Sequence, residues 1–347
     1  MKAQDSATRS SAIAAKPTIR AGAPGPLGAG PAGGTAGVPA GGIAGGTAAG
    51  LAGGTAGTVL AALGVLSFSF SFPATSWALT GFGPWTATGL RGLLAGLIAA
   101  LCLAAARVPL PARRHWPGLL VVSAGCVLGF PLLTTLALQT SSTAHSAVVI
   151  GVLPLATATV AALRAGRSGG AGTGAGGRPS RAFWGAALAG AAAVLGFTLL
   201  QSHGRPGVAD LYLFAALLVC AAGYAEGGRI SRELPGWQVI GWAVVAALPV
   251  TGLITALALP AEPVAFGAKA VTGLAYTAAV SQFGGFVLWY RGMAEIGVPR
   301  ASQLQLAQPL LTLVWSVLLL GEELPAAAPV TAVAVLLCIA VTQRART

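Results

Sequence analysis

Long apolar stretches, separated by short polar gaps, recur from about Val59 to the carboxyl end of the chain. A helix needs roughly 20 apolar residues to cross a bilayer. Ten stretches approach that length: 59–79, 85–105, 118–138, 144–163, 184–202, 209–229, 238–259, 269–290, 299–320 and 326–343. The pattern predicts an all-α, polytopic membrane protein with ten transmembrane helices, here called spans 1 to 10.

The composition supports the same class. The chain is 55% hydrophobic and 8% charged, whereas a soluble protein has about a quarter of its residues charged. The formal net charge of +12 raises the alternative of nucleic-acid binding. The basic residues, however, lie at the ends of the spans rather than on one face between aromatic residues. This distribution argues against a nucleic-acid partner and makes the lipid bilayer the expected surrounding.

The basic residues also predict the orientation. Most of the 20 Lys and Arg residues lie in the amino-terminal tail, at the carboxyl terminus and in the gaps after spans 2, 4, 6 and 8. Cytoplasmic loops carry the excess of Lys and Arg in membrane proteins. The sequence therefore predicts a multi-pass protein of the cell membrane with both termini in the cytoplasm.

Two segments differ in composition from the spans. Residues 1–57 are rich in Gly, Ala and Pro and have no core-forming pattern. They are expected to form a disordered cytoplasmic tail or to be translated from an upstream start codon, and both alternatives stay open. A second Gly-rich stretch predicts a flexible linker within 164–181.

The two halves of the spanning region resemble each other. Setting Pro154 against Pro309, an offset of 155 residues, also maps span 1 onto span 6 and span 2 onto span 7. Five spans per copy is an odd number, so the second copy must enter the membrane from the opposite side. Inverted repeats are typical of alternating-access transporters, whose substrate site lies at the repeat interface. We therefore predict two five-helix repeats, 58–205 and 206–343, and a secondary transporter.

These repeats resemble the EamA-type members of the drug/metabolite transporter superfamily. The repeat of that family has an Arg in its second helix, a Pro in its fourth helix and a closing Gly-Glu. The matching positions are Arg91, Pro154, Pro309, Gly321 and Glu322. The chain departs from the pattern at Gly166-Arg167, where Gly-Glu is usual, and at the segment SFSFSFP, where a Trp is expected. The resemblance implies export of small metabolites, amino acids or drugs and leaves the substrate unassigned.

Polar and aromatic residues inside the spans are candidates for a substrate path. Four of them share one face of span 9, two lie on span 8 and one lies near the outer end of span 1. They are Gln305, Gln308, Thr312, Trp315, Tyr276, Gln282 and Trp77. The four residues on span 9 have two alternative roles, which both stay open: they line a substrate path, or they form hydrogen bonds between helices. Interfacial anchoring is the alternative for Trp77.

Two charged residues fall inside spans, where a charge costs a few kcal/mol at the bilayer centre. Arg91 in span 2 either attracts an anionic group or has a structural role, through neighbouring carbonyls or the interface. Glu226 in span 6 is the carboxylate expected inside the membrane and the candidate for coupling to a proton. Its alternative role is an ion pair with Arg229 three residues later.

Proline and glycine positions predict where the helices bend and where they approach closely. Prolines inside spans free a carbonyl and permit a kink; they are Pro73, Pro131, Pro154, Pro249 and Pro309. Pairs of Gly four residues apart let helix backbones come together; they are Gly92–Gly96, Gly125–Gly129 and Gly223–Gly227.

The sequence has few of the residue patterns that are typical of an enzyme. It has three His and eight acidic residues without a catalytic grouping, and no Cys/His spacing for a metal. A phosphate-binding loop for ATP is also missing from the sequence. We therefore expect no enzyme, metal or cofactor, and a receptor or scaffold in the membrane remains the alternative to a transporter.

Overall fold

Helices make up most of the chain in this computed structural model. The structure describes residues 43–167, 180–202, 204–296, 301 and 304–344. In the amino-terminal half the helices are α1 (Ile43–Ser69), α2 (Ser71–Ala78), α3 (Pro84–Ala105), α4 (Trp116–Val122), α5 (Phe130–Ala137), α6 (Thr143–Ile150), α7 (Leu153–Arg167) and α8 (Arg181–Gln201). In the other half they are α9 (Val208–Ile230), α10 (Gly236–Ala246), α11 (Leu248–Ala258), α12 (Ala268–Ala275), α13 (Gly285–Ile296), α14 (Ala307–Leu320) and α15 (Ala327–Arg344).

Two segments of π-helix connect four of these helices. Ser123–Gly129 continues α4 into α5, and Tyr276–Gly284 continues α12 into α13. A π-helical turn adds one residue per hydrogen-bonded ring and is common at functional sites. Both segments lie in the middle of a predicted span.

The class predicted from the apolar pattern is confirmed, but the number of spans is not. Among the described residues, seven helical stretches are long and apolar enough to cross a membrane. Helices α10 and α11 make an eighth if the pair, bent by 43°, is one span. Helices α14 and α15 are apolar but shorter, with α14 starting only at Ala307.

Helix α1 begins earlier than the sequence predicted. It starts at Ile43, inside the stretch 1–57 that was expected to be a tail. The added stretch contains Gly as well as Ala, and Gly disfavours a helix. The helix there is therefore a continuation of the apolar span, where each added residue gains a hydrogen bond, rather than a product of local propensity. The chain divides into a unit Met1–Gly45 and a unit Gly46–Thr347. The cavity and the contacts around it belong to the second unit.

The predicted kinks occur at or just before the prolines. Proline lacks the N–H that bonds to the carbonyl four residues earlier, so a helix weakens there. Each interruption is followed shortly by a proline: Phe70 by Pro73, Ser123–Gly129 by Pro131, 151–152 by Pro154, Ala247 by Pro249 and Leu306 by Pro309. The π-helical segment Tyr276–Gly284 is not followed closely by a proline, and it was not predicted from the sequence.

Many small residues pack inside the bundle, and many leucines face outwards. Ala95, Ala99 and Ala243 are fully buried, whereas Leu101 and Leu200 are 71% and 72% exposed. In a soluble protein such leucines would be inside, but lipid tails solvate them as well as a protein core does. The exposed leucines therefore form the surface expected to contact lipid.

Close approach of two helices depends on glycine at the predicted positions. A Cβ atom added to Gly125 would collide with the backbone carbonyl oxygen of Val219 on α9, and one added to Gly223 would collide with Cys126. On the other side of the bundle, a Cβ at Gly92 would collide with Thr251 of α11. These glycines set the distance between neighbouring helices.

We therefore expect Gly125→Ala to destabilise the protein. The obstacle is a backbone atom, so the helices themselves would have to separate, at a cost of about 1–3 kcal/mol. Thermal unfolding of the purified protein in detergent measures the effect. Gly196→Ala is the matched control because a Cβ at Gly196 meets open space. Equal melting temperatures for the two variants would contradict the packing described here.

Candidate functional site

A cavity of ≈ 750 Å³ lies between the helices of the second unit. Pockets that bury small organic molecules have about this volume. Its walls come from α1, α2, α3, α5, α6, α7, α9, α13, α14 and α15 and from both π-helical segments. Because both halves of the chain contribute, the cavity lies where the two predicted repeats meet.

The cavity opens at one end of the bundle. Its exposed lining residues are Ala161 near the end of α7, Gly228 and Arg229 at the end of α9, and Arg232 just beyond α9. Lining residues at the other end, such as Phe72 and Thr75, are buried. We call these the open end and the closed end.

Glu226 lies near the rim of the open end. Its carboxylate accepts hydrogen bonds from Arg229 at 2.6 Å and from Arg164 of α7 at 3.2 Å. The i,i+3 pair considered from the sequence is present, and Arg164 adds a contact between two helices. In this conformation Glu226 neutralises part of a basic rim and does not itself line the cavity.

Inside the cavity the walls are largely apolar and aromatic. Aromatic ring surface comes from Phe68, Phe72, Phe130, Tyr224 and Phe286. Polar groups are fewer and include those of Ser71, Arg91, Ser281, Gln282, Gln305, Gln308 and Thr312, with further hydroxyl groups from other Ser, Thr and Tyr side chains. An apolar wall with few polar groups is the usual composition of a site for small organic molecules.

Arg91 is the buried cation of this site, with 8% of its surface exposed. Its Nε donates to Oε1 of Gln282 at 2.8 Å, and its Nη2 donates to Oγ of Ser281 at 3.2 Å. The Ser281 hydroxyl lies 2.6 Å from that of Ser71. These contacts tie α3 to the π-helical segment of the second half and hold the guanidinium in place.

Gln282 also connects the two π-helical segments. Its Nε2 donates to the carbonyl oxygen of Cys126 at 3.4 Å. In a π-helix that carbonyl would accept from the residue five positions later, which is Pro131 and has no N–H. The Gln282 amide thus satisfies a carbonyl that proline leaves free, and its oxygen binds Arg91.

An aromatic cluster lies at the break between α1 and α2, towards the closed end. The ring of Phe70 packs against Trp77, Tyr276 and Trp315, with centroid distances of 5.3, 4.8 and 6.2 Å. All three partners were predicted as path residues, and none of them lines the cavity in this conformation. Phe70 directly precedes the lining residues Ser71 and Phe72, so the cluster lies next to the closed end of the cavity.

Thr312 anchors this cluster through a carbonyl freed by a proline. Pro73 cannot donate to the carbonyl of Ser69, four residues earlier. Thr312 Oγ1 donates to that carbonyl at 2.9 Å and also lies 3.0 Å from the Gln308 carbonyl of its own helix. Trp315 Nε1 donates to Ser69 Oγ at 2.9 Å. The break in one half of the chain is therefore held by α14 of the other half.

Two carboxylates cap helix N-termini at the closed end. Gly321 ends α14 with φ of 67°, in the left-handed region that glycine adopts readily. The turn presents Glu322, whose two oxygens accept from the backbone N–H groups of Thr143 and Ala144, both at 2.8 Å. The first N–H groups of a helix have no intrahelical partner, so a carboxylate stabilises this end of α6.

Glu262 makes the second cap, which the sequence analysis did not predict. Its carboxylate accepts from the N–H groups of Trp85 and Thr86 at the start of α3, at 3.2 and 2.7 Å. It comes from the loop after α11, and no periodic pattern marks such a loop residue. Both caps join elements from different halves of the chain.

The predicted site residues thus fall into three groups. The first group lines the cavity and consists of Arg91, Pro154, Gln282, Gln305, Gln308, Pro309 and Thr312. The second group lies beyond the cavity, towards the closed end, and consists of Trp77, Tyr276, Trp315, Gly321 and Glu322. The third group is Glu226 alone, near the rim of the open end. Sequence reasoning missed Ser281, Tyr224 and Phe70, which carry no periodic or charge signal.

The helical bundle and its apolar surface define a polytopic membrane protein, and a cavity of small-molecule size lies between its halves. The sequence pattern of the EamA-like transporter family matches residues 55–176 and 207–343. The chain is 41% identical over 288 residues to an uncharacterized transporter, YdeK, of Bacillus subtilis (strain 168), covering 83% of this chain and 97% of that protein. The chain belongs to the EamA-like transporter family.

A solved crystal structure shows the same fold. It aligns with a TM-score of 0.56 over 82% of this chain and 97% of its own, at 20% sequence identity. The resemblance inferred from Arg91, the two prolines and the closing Gly-Glu is confirmed. The protein is accordingly a membrane transporter, and the comparisons give no support to an enzyme.

The bond between Thr312 and the Ser69 carbonyl gives a test of the site geometry. Thr312→Val should destabilise the protein by about 1–3 kcal/mol because it leaves a buried carbonyl without a donor. With Pro73→Ala in the background, residue 73 gains an N–H that can bond to Ser69, so the cost of Thr312→Val should fall. Thermal unfolding of the two single variants and the double variant measures this coupling. Additive losses would contradict the assignment.

Proposed function

We propose that this protein is a secondary-active transporter that exports small metabolites, amino acids or drugs by alternating access. The cavity, open at one end and closed at the other by contacts between the two halves, is the observation that carries the proposal. Alternating access requires a central site that faces one side of the membrane at a time. A receptor or a scaffold gives no reason for an inverted repeat.

Repetition within the fold supports two inverted five-helix repeats with ten crossings. The family pattern matches twice. At the offset of 155 residues, the π-helical segment Ser123–Gly129 falls within Tyr276–Gly284, and the break at 151–152 falls at 306–307. In this scheme α14 and α15 belong to spans 9 and 10.

The aromatic cluster fits the role of a gate. If Phe70, Trp77, Tyr276 and Trp315 separate when the closed end opens, the three predicted path residues among them come to line the route in the other conformation. The indole Nε1 of Trp77 is buried and has no hydrogen-bond partner among the residues that the structure describes. An N–H group without a partner in this conformation is suited to form its hydrogen bond in the other conformation.

The charge pattern supports a cytoplasmic location for both termini and for the open end. Arg229, Arg232 and Arg164 lie at or near that end, and positive residues favour the cytoplasmic side. The protein then faces the cytoplasm in this conformation, as an exporter does when it takes up its substrate. A proton is the candidate coupling ion, with Glu226 as its candidate site.

Reporter fusions test the topology. A fusion at Thr347 should behave as cytoplasmic, and one in the gap 259–264 between α11 and α12 should behave as external, because an odd number of crossings separates them in the ten-span scheme. Enzymatic reporters active on only one side of the membrane make the measurement. A cytoplasmic signal from the gap 259–264 would contradict the inverted-repeat scheme.

Variants of Gln308 test transport through the cavity. Gln308→Leu should reduce uptake of labelled metabolites into proteoliposomes roughly 2- to 10-fold, the range expected for one lost neutral hydrogen bond. Gln201→Leu, at the exposed end of α8, is the control for the chemical change. In a background without native cysteines, Gln308→Cys should react with a water-soluble maleimide. An unreactive cysteine together with normal transport by Gln308→Leu would contradict the proposal.

A further inference from the structure

The hydrogen bonds of Arg91 leave part of its guanidinium free. A guanidinium carries five N–H donors in a planar fork. Nε and one N–H of Nη2 are used by Gln282 and Ser281, and the other three donors have no partner within the described residues. Arg91 itself lines the cavity. The edge formed by its two terminal nitrogens is the edge that binds a carboxylate with two parallel bonds.

The charge of Arg91 is not balanced by the part of the chain that the structure describes. Of the eight acidic residues only Asp5 lies outside the described residues, and none of the other seven lines the cavity. Five of them are occupied elsewhere: Asp210 with His145, Glu226 with Arg229, Glu233 with Arg114, and Glu262 and Glu322 with helix N-termini.

An arginine cannot shed this charge, because its side chain remains protonated in proteins. A charge inside a membrane is costly, and such residues pair with an opposite charge or mark a path for one. We propose that the cavity binds an organic anion with one carboxylate and an apolar body, and that Arg91 receives the carboxylate. This inference rests on the proposed function and names the substrate class of its site.

The walls define the rest of the ligand. Phe72, Phe286 and Tyr224 offer ring surface to an apolar body. With no carboxylate in the lining, the site provides no counter-charge for an ammonium group, so a net anion fits better than an amine or a zwitterion. Arg229 and Arg232 also belong to the lining, but both are exposed at the rim and Arg229 is paired with Glu226. The buried guanidinium of Arg91 balances one negative charge. Gln282 and Ser281 keep the guanidinium in place before the ligand arrives, which reduces the entropy lost on binding.

Protection of a cysteine from labelling tests this inference. The protein is purified with its four native cysteines replaced and with Gln308→Cys, and the rate of labelling by N-ethylmaleimide is measured with four probes that share a phenyl ring. The probes are phenylacetate, phenethylamine, 2-phenylethanol and phenylalanine, each at millimolar concentration. Phenylacetate should slow the labelling, and the amine, the alcohol and the zwitterion should have much less effect.

Variants of Arg91 assign the effect to the guanidinium. Arg91→Gln should weaken protection by phenylacetate about tenfold or more, the range for a lost bond between charged groups. Arg91→Lys keeps the charge without the fork, so protection should weaken several-fold but persist. Arg113→Gln is the control, since Arg113 is exposed and lies outside the lining. If Arg91→Gln does not elute as one monodisperse species, Arg91→Lys decides the test.

The outcomes separate this inference from the proposed function. Labelling that phenylacetate does not slow, equal or better protection by another probe, or unchanged protection in both Arg91 variants would overturn the anion assignment and leave the transporter proposal intact. A Gln308→Cys protein that is not labelled even without a probe would instead contradict the water-accessible cavity on which the proposed function depends.

Discussion

The need to satisfy every backbone polar group away from water governs this structure. In the hydrocarbon core of a bilayer there is no water to bond with a carbonyl that a proline leaves free. Here the carbonyls ahead of Pro73 and Pro131 receive donors from Thr312 and Gln282 in the other half of the chain. Each of these two breaks is thus also a link between halves, and the polar side chains that form the two links lie at the cavity wall.

The same constraint explains why the polar residues of the cavity are few and interconnected. Gln282 serves a backbone carbonyl and a guanidinium at once, and Ser281 joins Arg91 to Ser71. A polar network in a low-dielectric interior is stable only when its members have partners. Such a network also rigidifies the wall that it crosses, so recognition and structural support come from the same side chains.

The sequence predicted well what depends on local pattern. Apolar length gave the membrane class, the prolines gave the positions of the breaks, and the 3.6-residue period placed Gln305, Gln308 and Thr312 together on one face, which lines the cavity. It predicted poorly what depends on tertiary contact. Phe70 becomes the centre of a cluster only when α14 and the second π-helical segment reach it, and Glu262 caps α3 from a loop with no periodic signal.

The cap on α6 has a consequence for how the protein divides its time between states. Two inverted repeats with identical sequences would close the two sides of the membrane with equal free energy. Glu322 supplies a carboxylate to one closure, but the position 155 residues earlier is Arg167, which has no acceptor to offer a helix N-terminus. The two closures therefore differ in chemistry, and a difference of 1.4 kcal/mol already sets a tenfold ratio of dwell times at equilibrium. In the proposed alternating-access scheme, this exchange of one acidic residue for a basic one would give the unloaded carrier a resting orientation.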